Sequence, residues 1–194
     1  MDSRAPTYIF NFFAVFGLFL LSVLLITASL SPQIRRSQTW YSMIMSRMVY
    51  AASYTLLLGH QFGPKPPNGI CALQMVLVYA SPTLTATTGL AFIVDVHLRL
   101  TSALFKKPNP KYTRYLLIIP WAIFEAVCAE ALIAVHDFAD IERGPDHMYC
   151  SIGSVDNFQG RLTAILCVIA LGMAPLILWT MAILYRNWRL FRHM

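Results

Sequence analysis

The sequence contains few charged residues. Asp, Glu, Lys and Arg make up 12% of its 194 residues, whereas 57% are hydrophobic. Soluble domains carry about 25% charged and about 45–50% apolar residues. Because lipid-facing side chains bear charge only at a high cost, this deficit argues against an ordinary soluble domain and predicts an integral protein of a lipid bilayer. The net charge of +6 does not indicate nucleic acid as a partner, since no block of Lys and Arg is interleaved with aromatic residues.

The sequence also lacks the common catalytic and metal-binding motifs. It contains no H-E-x-x-H, no paired C-x-x-C, no G-x-S-x-G and no Walker loop. We therefore expect no cofactor, no metal and no enzymatic activity. One alternative stays open, a small membrane enzyme or an ion or proton pathway. It would use Glu125 and Glu130, which lie in an apolar run, and an outer cluster that includes His136, Asp137 and Asp140.

Five stretches are long and apolar enough to cross about 30 Å of hydrocarbon. They run approximately over residues 8–30, 40–61, 70–98, 115–136 and 162–185. Each must be helical, because lipid offers no hydrogen-bond partner to free backbone groups. The sequence thus predicts an all-α, polytopic transmembrane bundle that forms a single domain over residues 1–194. The first stretch exceeds the apolar core of a signal peptide and lacks a basic cluster at its start, which favours a retained helix.

Basic residues outside the spans predict the orientation. They concentrate in alternate segments, namely Arg35, Arg36, Arg99, Lys106, Lys107, Lys111, Arg114, Arg186, Arg189 and Arg192. The other segments carry fewer, namely Arg4, Lys65, Arg143 and Arg161. Lys and Arg collect on the cytosolic side of membrane proteins. We therefore expect the N-terminus outside and the C-terminus in the cytosol.

Two of the four cysteines face the same compartment on this topology. Cys71 opens the third span on the outside, and Cys150 lies in the outer loop between spans four and five. Because that side is oxidising, a disulfide is permitted, and neither residue has another outward-facing cysteine to pair with. We expect the bond to form, with two unrelated thiols as the alternative. Cys128 and Cys167 fall within spans, where a thiol usually packs as a small apolar group.

Polar residues occur at the cytosolic end of the long third span. Asp95 and Arg99 are four residues apart, so they share a helix face and can form an ion pair. Arg47, in the inner part of the second span, is a rival partner for Asp95. The pair is either a self-neutralised interfacial anchor or a switch that holds the third helix to a neighbour. His97 points to a different face, where we expect it to be solvated.

Further polar residues lie deeper in the third and fourth spans. The segment "SPTLTATTG", residues 81–89, combines hydroxyl side chains with Pro and Gly, and close helix packing explains it most simply. The alternative is a cavity lined by Gln74, Thr85 and Thr88, with Glu125 contributed by the fourth span.

Together these features resemble the G-protein-coupled receptors. The stretch "CALQMVLVYASPTLTATTGLAFIVDVHLRL", residues 71–100, is also similar to receptor-like membrane proteins of mushroom-forming fungi. The matching positions are the outer cysteines Cys71 and Cys150, the acidic Asp95, Trp121 in the fourth span and Pro175 in the fifth. The resemblance covers the whole chain, as the first five of seven helices. The chain departs from the family at Val96, which stands where such receptors have Arg, and at Arg47 in the second span.

The resemblance implies a receptor-like integral protein of the plasma membrane. With five helices, it is expected to act as a truncated receptor whose signalling is impaired or depends on a partner. A second copy, another membrane protein or a G protein would be that partner. The ion pair of Asp95 and Arg99 would then act as a latch at the inner end of the third helix.

Overall fold

The described residues form five helices and one short antiparallel pair of strands. The computed structural model describes residues 4–31, 36–61, 66–105, 112–134, 141–143, 149–152 and 156–192. The elements are α1 (Arg4–Leu30), α2 (Gln38–Thr55), α3 (Asn68–Phe105), α4 (Thr113–Ala134), β1 (Ile141–Arg143), β2 (Cys150–Ile152) and α5 (Asp156–Arg192). The predicted helical bundle is therefore confirmed, and the antiparallel hairpin of β1 and β2 is an addition that the sequence did not indicate.

Four of these helices are long and apolar enough to cross a membrane. The qualifying segments are Ala5–Leu30, Asn68–Ser102, Thr113–Ile133 and Gly160–Arg186. Helix α2 is not among them, because Gln38, Arg47 and several hydroxyl residues dilute its apolar content. The second predicted stretch, 40–61, is helical only to Thr55. A turn follows in which Gly59 adopts a positive φ of 89°, a conformation that glycine tolerates and that ends a helix readily.

Helices α1 and α5 bury almost nothing against the rest of the bundle. None of the most apolar window of α1 and 6% of that of α5 is buried, compared with 56% for α3. Phe12, Phe13 and Phe19 on α1 are each at least 60% exposed. A soluble monomer rarely exposes an apolar surface of this extent, whereas lipid covers it without penalty. The exposure pattern is that of a membrane protein with α3 at its centre.

Helix α3 contacts α2, α4, α5 and both strands, while α1 packs against α2. The direction of α2 follows from two contacts: Thr39 meets Asp95, and Ser46 meets Thr88. Seven residues forward on α2 thus match seven residues backward on α3, so the two helices are antiparallel. The apolar core surrounds α3 and includes Met75 and Leu84 of α3, Phe124 and Val127 of α4, Leu57 after α2 and Leu162 of α5.

The two ends of α3 differ in chemistry. One end, near Cys71, meets the hairpin strand β2, and we call it the Cys71 end. The other end, near Asp95, meets the start of α2, and we call it the Asp95 end. These two ends hold most of the polar residues singled out in the sequence.

Candidate functional site

Asp95 is the centre of a polar network at the Asp95 end. The residue is only 3% exposed. Its Oδ1 accepts a hydrogen bond of 2.9 Å from Nε of Arg99, as the four-residue spacing on one helix allows. Its Oδ2 accepts a hydrogen bond of 2.7 Å from the hydroxyl of Thr39 on α2. One buried carboxylate therefore pairs with its own helix and holds a second helix at the same time.

The network continues from Thr39 into the beginning of α2. The Thr39 hydroxyl gives its hydrogen to Asp95, so Ser37, 2.9 Å away, is the donor in the contact between the two hydroxyls. Ser37 caps α2, and its oxygen accepts a hydrogen bond of 3.2 Å from the backbone N–H of Trp40. The carboxylate of Asp95 thus lies beside the N-terminus of α2, where the helix dipole favours a negative charge.

Arg47 is not part of this network. The side chain of Asp95 is occupied by Arg99 and Thr39. Ser46 faces α3, where it contacts Thr88. Arg47 is the next residue, and successive residues on a helix are rotated by about 100°. It therefore turns away from α3 and lines a groove between α1 and α2. The expectation that Arg47 competes for Asp95 is wrong for this arrangement, because depth was considered without the helical phase.

His97 joins α3 to α5 at the same end. Its Nδ1 lies 3.0 Å from the hydroxyl oxygen of Thr180. The Thr180 hydroxyl donates its own hydrogen to the carbonyl of Leu176, at 2.7 Å. The Thr180 oxygen is therefore the acceptor, and Nδ1 of His97 carries a hydrogen. We expected a solvated ring, but the half-buried His97 makes a contact between helices that no local spacing could have indicated.

The Cys71 end is held by a covalent bond and a hydrogen bond. Cys71 and Cys150 are joined as a disulfide, with Cα atoms 5.5 Å apart, and both residues are buried. One turn along α3, the side-chain oxygen of Gln74 accepts a hydrogen bond of 3.2 Å from the backbone N–H of Cys150. Gln74 was a candidate for lining a cavity. It instead fixes strand β2 on the central helix.

The residues of the proposed cavity do not come together. Thr88 contacts Ser46 on α2 at 2.7 Å, and Thr85 is buried without a hydrogen-bond partner for its hydroxyl. Glu125 is exposed on α4 and lines a groove of about 600 Å³ between α2 and α4. Gln74, Thr85 and Thr88 line none of the three described grooves. At Thr88 the polar segment of α3 therefore packs against α2, as the simpler of the two interpretations expects, and no described groove supports the cavity.

The acids of the enzyme or ion-pathway alternative are also separate. Glu130 pairs with Arg161 of α5 at 2.9 Å, and both side chains are substantially exposed. Glu125 lies on another face of α4, and the cluster that begins at His136 lies outside the described residues. Within the described part of the chain, no group of three or more His, Cys, Asp or Glu side chains could hold a metal ion. No described contact favours this alternative.

Comparison with known proteins gives no indication of function, so the function has to be inferred from the geometry. No family model, curated protein or solved structure matches the chain. What the structure offers is a central helix tied covalently at one end and held by a shared carboxylate at the other.

Proposed function

We propose that this chain is a receptor-like integral protein of the plasma membrane, related in design to the G-protein-coupled receptors. It spans the bilayer five times, with its N-terminus outside and its C-terminus in the cytosol. The observation that carries the proposal is the opposite treatment of the two ends of α3: a disulfide to Cys150 at one end and the buried Asp95 latch at the other. The first is fixed, and the second can open and close.

The contacts of α2 support a fifth span despite its polar composition. At one end of α2 the Tyr41 hydroxyl donates to the carbonyl of Ala28 near the end of α1, at 3.2 Å. Beyond its other end, Gln61 donates to Asn11 near the start of α1, at 2.8 Å. The α2 segment therefore runs beside α1 from Asn11 to Ala28, about two thirds of that apolar helix. If α1 crosses the bilayer, α2 crosses with it.

The polar side chains of α2 are compatible with such a position. The hydroxyl groups of Ser46, Ser53 and Thr55 lie within hydrogen-bond distance of carbonyls one turn earlier in α2. Ser46 and Ser53 are also fully buried. Polar groups that are satisfied in this way are tolerated at membrane depth.

The distribution of basic residues supports a cytosolic Asp95 end. Arg36 precedes the cap of α2, and Arg99 pairs with Asp95 itself. Arg114 shares a groove with Gln38, the first residue of α2, and Arg186 follows Thr180 on α5 after less than two turns. Three described helices and the residues just before α2 thus bring arginine to one end of the bundle, which is the arrangement expected on the cytosolic side.

The latch connects α3 with α2 through a hydrogen bond to a charged group. Such a bond contributes about 1.5–3 kcal/mol, which corresponds to roughly a tenfold or larger change in the equilibrium between closed and open forms. The contact of His97 with Thr180 holds α5 to the same end. Opening the latch would free the end of α2 from α3 and expose a surface to a cytosolic partner such as a G protein, while the contact of His97 with Thr180 continues to hold α5.

The test is basal nucleotide exchange on heterotrimeric G proteins added to membranes that contain the protein. Asp95→Asn removes the charge that binds both Arg99 and Thr39, so we expect the initial exchange rate to rise roughly tenfold over the wild type. Glu130→Gln removes a carboxylate paired at the opposite end of the bundle and serves as the matched control, with no change expected. Equal rates with Asp95→Asn and without the protein would contradict G-protein coupling.

A further inference from the structure

Two opposite charges on the outside of the bundle have no hydrogen-bond or ion-pair partner among the described residues. Arg47 on α2 and Glu125 on α4 are both exposed. Among the described residues, neither makes a hydrogen bond or an ion pair, whereas Glu130 has Arg161 and Asp95 has Arg99. An exposed charge within a membrane span is costly and usually has a partner. Each of these two side chains would therefore be stabilised by an opposite charge from another molecule.

The two charges lie at nearly the same depth. The indole N–H of Trp121 on α4 donates to the hydroxyl oxygen of Ser42 on α2, at 3.0 Å, and both residues line one groove, so they lie at a similar level. Both helices begin at the Asp95 end and run towards the Cys71 end. Arg47 lies five residues beyond Ser42, and Glu125 lies four residues beyond Trp121. At about 1.5 Å per residue, they stand about 7.5 and 6 Å above the common level.

Arg47 and Glu125 cannot pair within one chain. Ser42 borders the groove between α2 and α4 that Glu125 lines. Arg47, five residues further on, is rotated by about 140° from Ser42 and lines the groove between α1 and α2 instead. Helix α2 therefore separates the two side chains, and each has to be neutralised by another molecule.

The groove that holds Arg47 is lined by residues that suit the docking of a helix. Its floor carries the small residues Ala14, Gly17 and Ala51, and an added Cβ at Gly17 would meet nothing within 4 Å. Small residues let a neighbouring membrane helix approach closely. Aromatic rings of Phe10, Phe13, Tyr50 and Tyr54 line the remainder. With Leu21 completing the lining, the groove is largely apolar, and Arg47 is its one charged residue.

We propose that a second copy of this chain fills the groove, with Glu125 of its α4 paired with Arg47. The charges are complementary. All copies are inserted in the bilayer with the same orientation, so Arg47 of one copy and Glu125 of a neighbouring copy lie at the same depth. The inference rests on the five-span topology of the proposed function. The groove with Arg47 and the α4 face with Glu125 are different surfaces, so the contact is head-to-tail. Further copies can then add until the assembly closes into a ring or remains an open row.

The experiment measures energy transfer between donor-labelled and acceptor-labelled copies of the full chain in neutral phosphatidylcholine vesicles. The wild type is expected to associate, and Arg47→Gln and Glu125→Gln are each expected to weaken association by at least tenfold. Glu130→Gln is the matched control on the same helix and is expected to associate like the wild type. Retention of the disulfide between Cys71 and Cys150 reports that each variant has folded.

Charge reversal gives the sharpest result. Copies with Arg47→Glu repel one another, and so do copies with Glu125→Arg, so neither variant should associate alone. Mixed together, the two variants present opposite charges at both contacts, and energy transfer should return. This return also shows that both variants are folded.

Three results would overturn the proposal. They are a monomeric wild type, association that neither glutamine variant reduces, and charge-reversed chains that do not associate when mixed. A wild type that is monomeric in neutral vesicles and that, in vesicles containing anionic lipid, retains that lipid unless Arg47 is replaced would assign the groove to a phosphate headgroup. A failure of this inference leaves the latch untouched, because the exchange rate of Asp95→Asn is measured separately.

Discussion

Asp95 and Thr39 join the central helix to its neighbour through a single hydrogen bond of 2.7 Å, although 56 residues separate them in the chain. The donor lies in the first turn of α2, and the acceptor is a buried carboxylate on α3. A carboxylate at this depth requires partners, and the bundle supplies one from each helix. The bond is therefore a structural tie between the two helices, and it is the contact that the proposed latch would have to break.

Thr39→Val tests the stability of this tie. Valine keeps the shape of the side chain but cannot donate to Asp95, which then retains only Arg99. We expect the free energy of unfolding to fall by about 1.5–3 kcal/mol. Thr27→Val is the matched control, because the exposed hydroxyl of Thr27 donates only within its own helix. Thermal unfolding in detergent micelles measures both variants, and equal melting temperatures would show that the Asp95 bond contributes nothing.

The disulfide between Cys71 and Cys150 should dominate the stability of the Cys71 end. It links residues 79 apart in sequence. Closing a loop of that length restricts the unfolded chain by about 4–5 kcal/mol. Cys71→Ser and Cys150→Ser are each expected to lower the melting temperature strongly and by similar amounts. Cys167→Ala changes an exposed free thiol and should have little effect. A melting temperature that stays unchanged in Cys71→Ser would contradict the role of the bond.

Gln74 should protect that disulfide from reduction. Its side chain accepts the backbone N–H of Cys150, so Gln74→Met leaves β2 attached to α3 by the disulfide and packing alone. We expect the bond to be reduced several times faster by dithiothreitol. Thr85→Val removes another buried polar group of α3, one that has no partner, and should leave the rate unchanged. Identical rates for all three proteins would show that Gln74 does not hold the hairpin.

His97 and Thr180 should behave as one unit. Thr180→Val removes the acceptor of the His97 ring, and His97→Ala removes the donor. Each change is expected to cost about 0.5–1.5 kcal/mol, and the double variant should cost less than the sum, because either change breaks the same bond. Chemical denaturation of the four proteins completes the cycle. Strict additivity would mean that the two side chains do not interact.

The helices could be predicted from sequence where the signal was local. Lipid-length apolar runs located α1, α3, α4 and α5, and the spacing of Asp95 and Arg99 already allowed their ion pair. The end of α2 was misplaced, because the leucines before Gly59 read as part of the apolar run although they form a turn. Composition measures hydrophobicity and does not register a positive φ.

The rest of the site depended on tertiary contacts. Thr39 and Thr180 carry no motif, and they matter only because the fold brings them to α3. Arg47 and Glu125 line grooves on either side of α2, and their positions along the chain did not indicate these neighbours. The sequence fixes the rotation of a side chain relative to its own helix and not relative to the others.

The five-span topology is tested most directly by asking whether α2 crosses the bilayer. Gln38 and Asn68 are exposed residues at the start of α2 and of α3, so a membrane-spanning α2 places them on opposite sides. Gln38→Cys and Asn68→Cys are made in a chain whose free thiols, Cys128 and Cys167, are replaced by alanine. Intact cells are then treated with a maleimide that cannot cross membranes.

The five-span topology with the N-terminus outside predicts labelling of Asn68→Cys in intact cells and of Gln38→Cys only after permeabilisation. Labelling of both positions from the same side would show that α2 does not cross the bilayer. The reverse pattern would place the Asp95 latch outside the cell and contradict the receptor-like function.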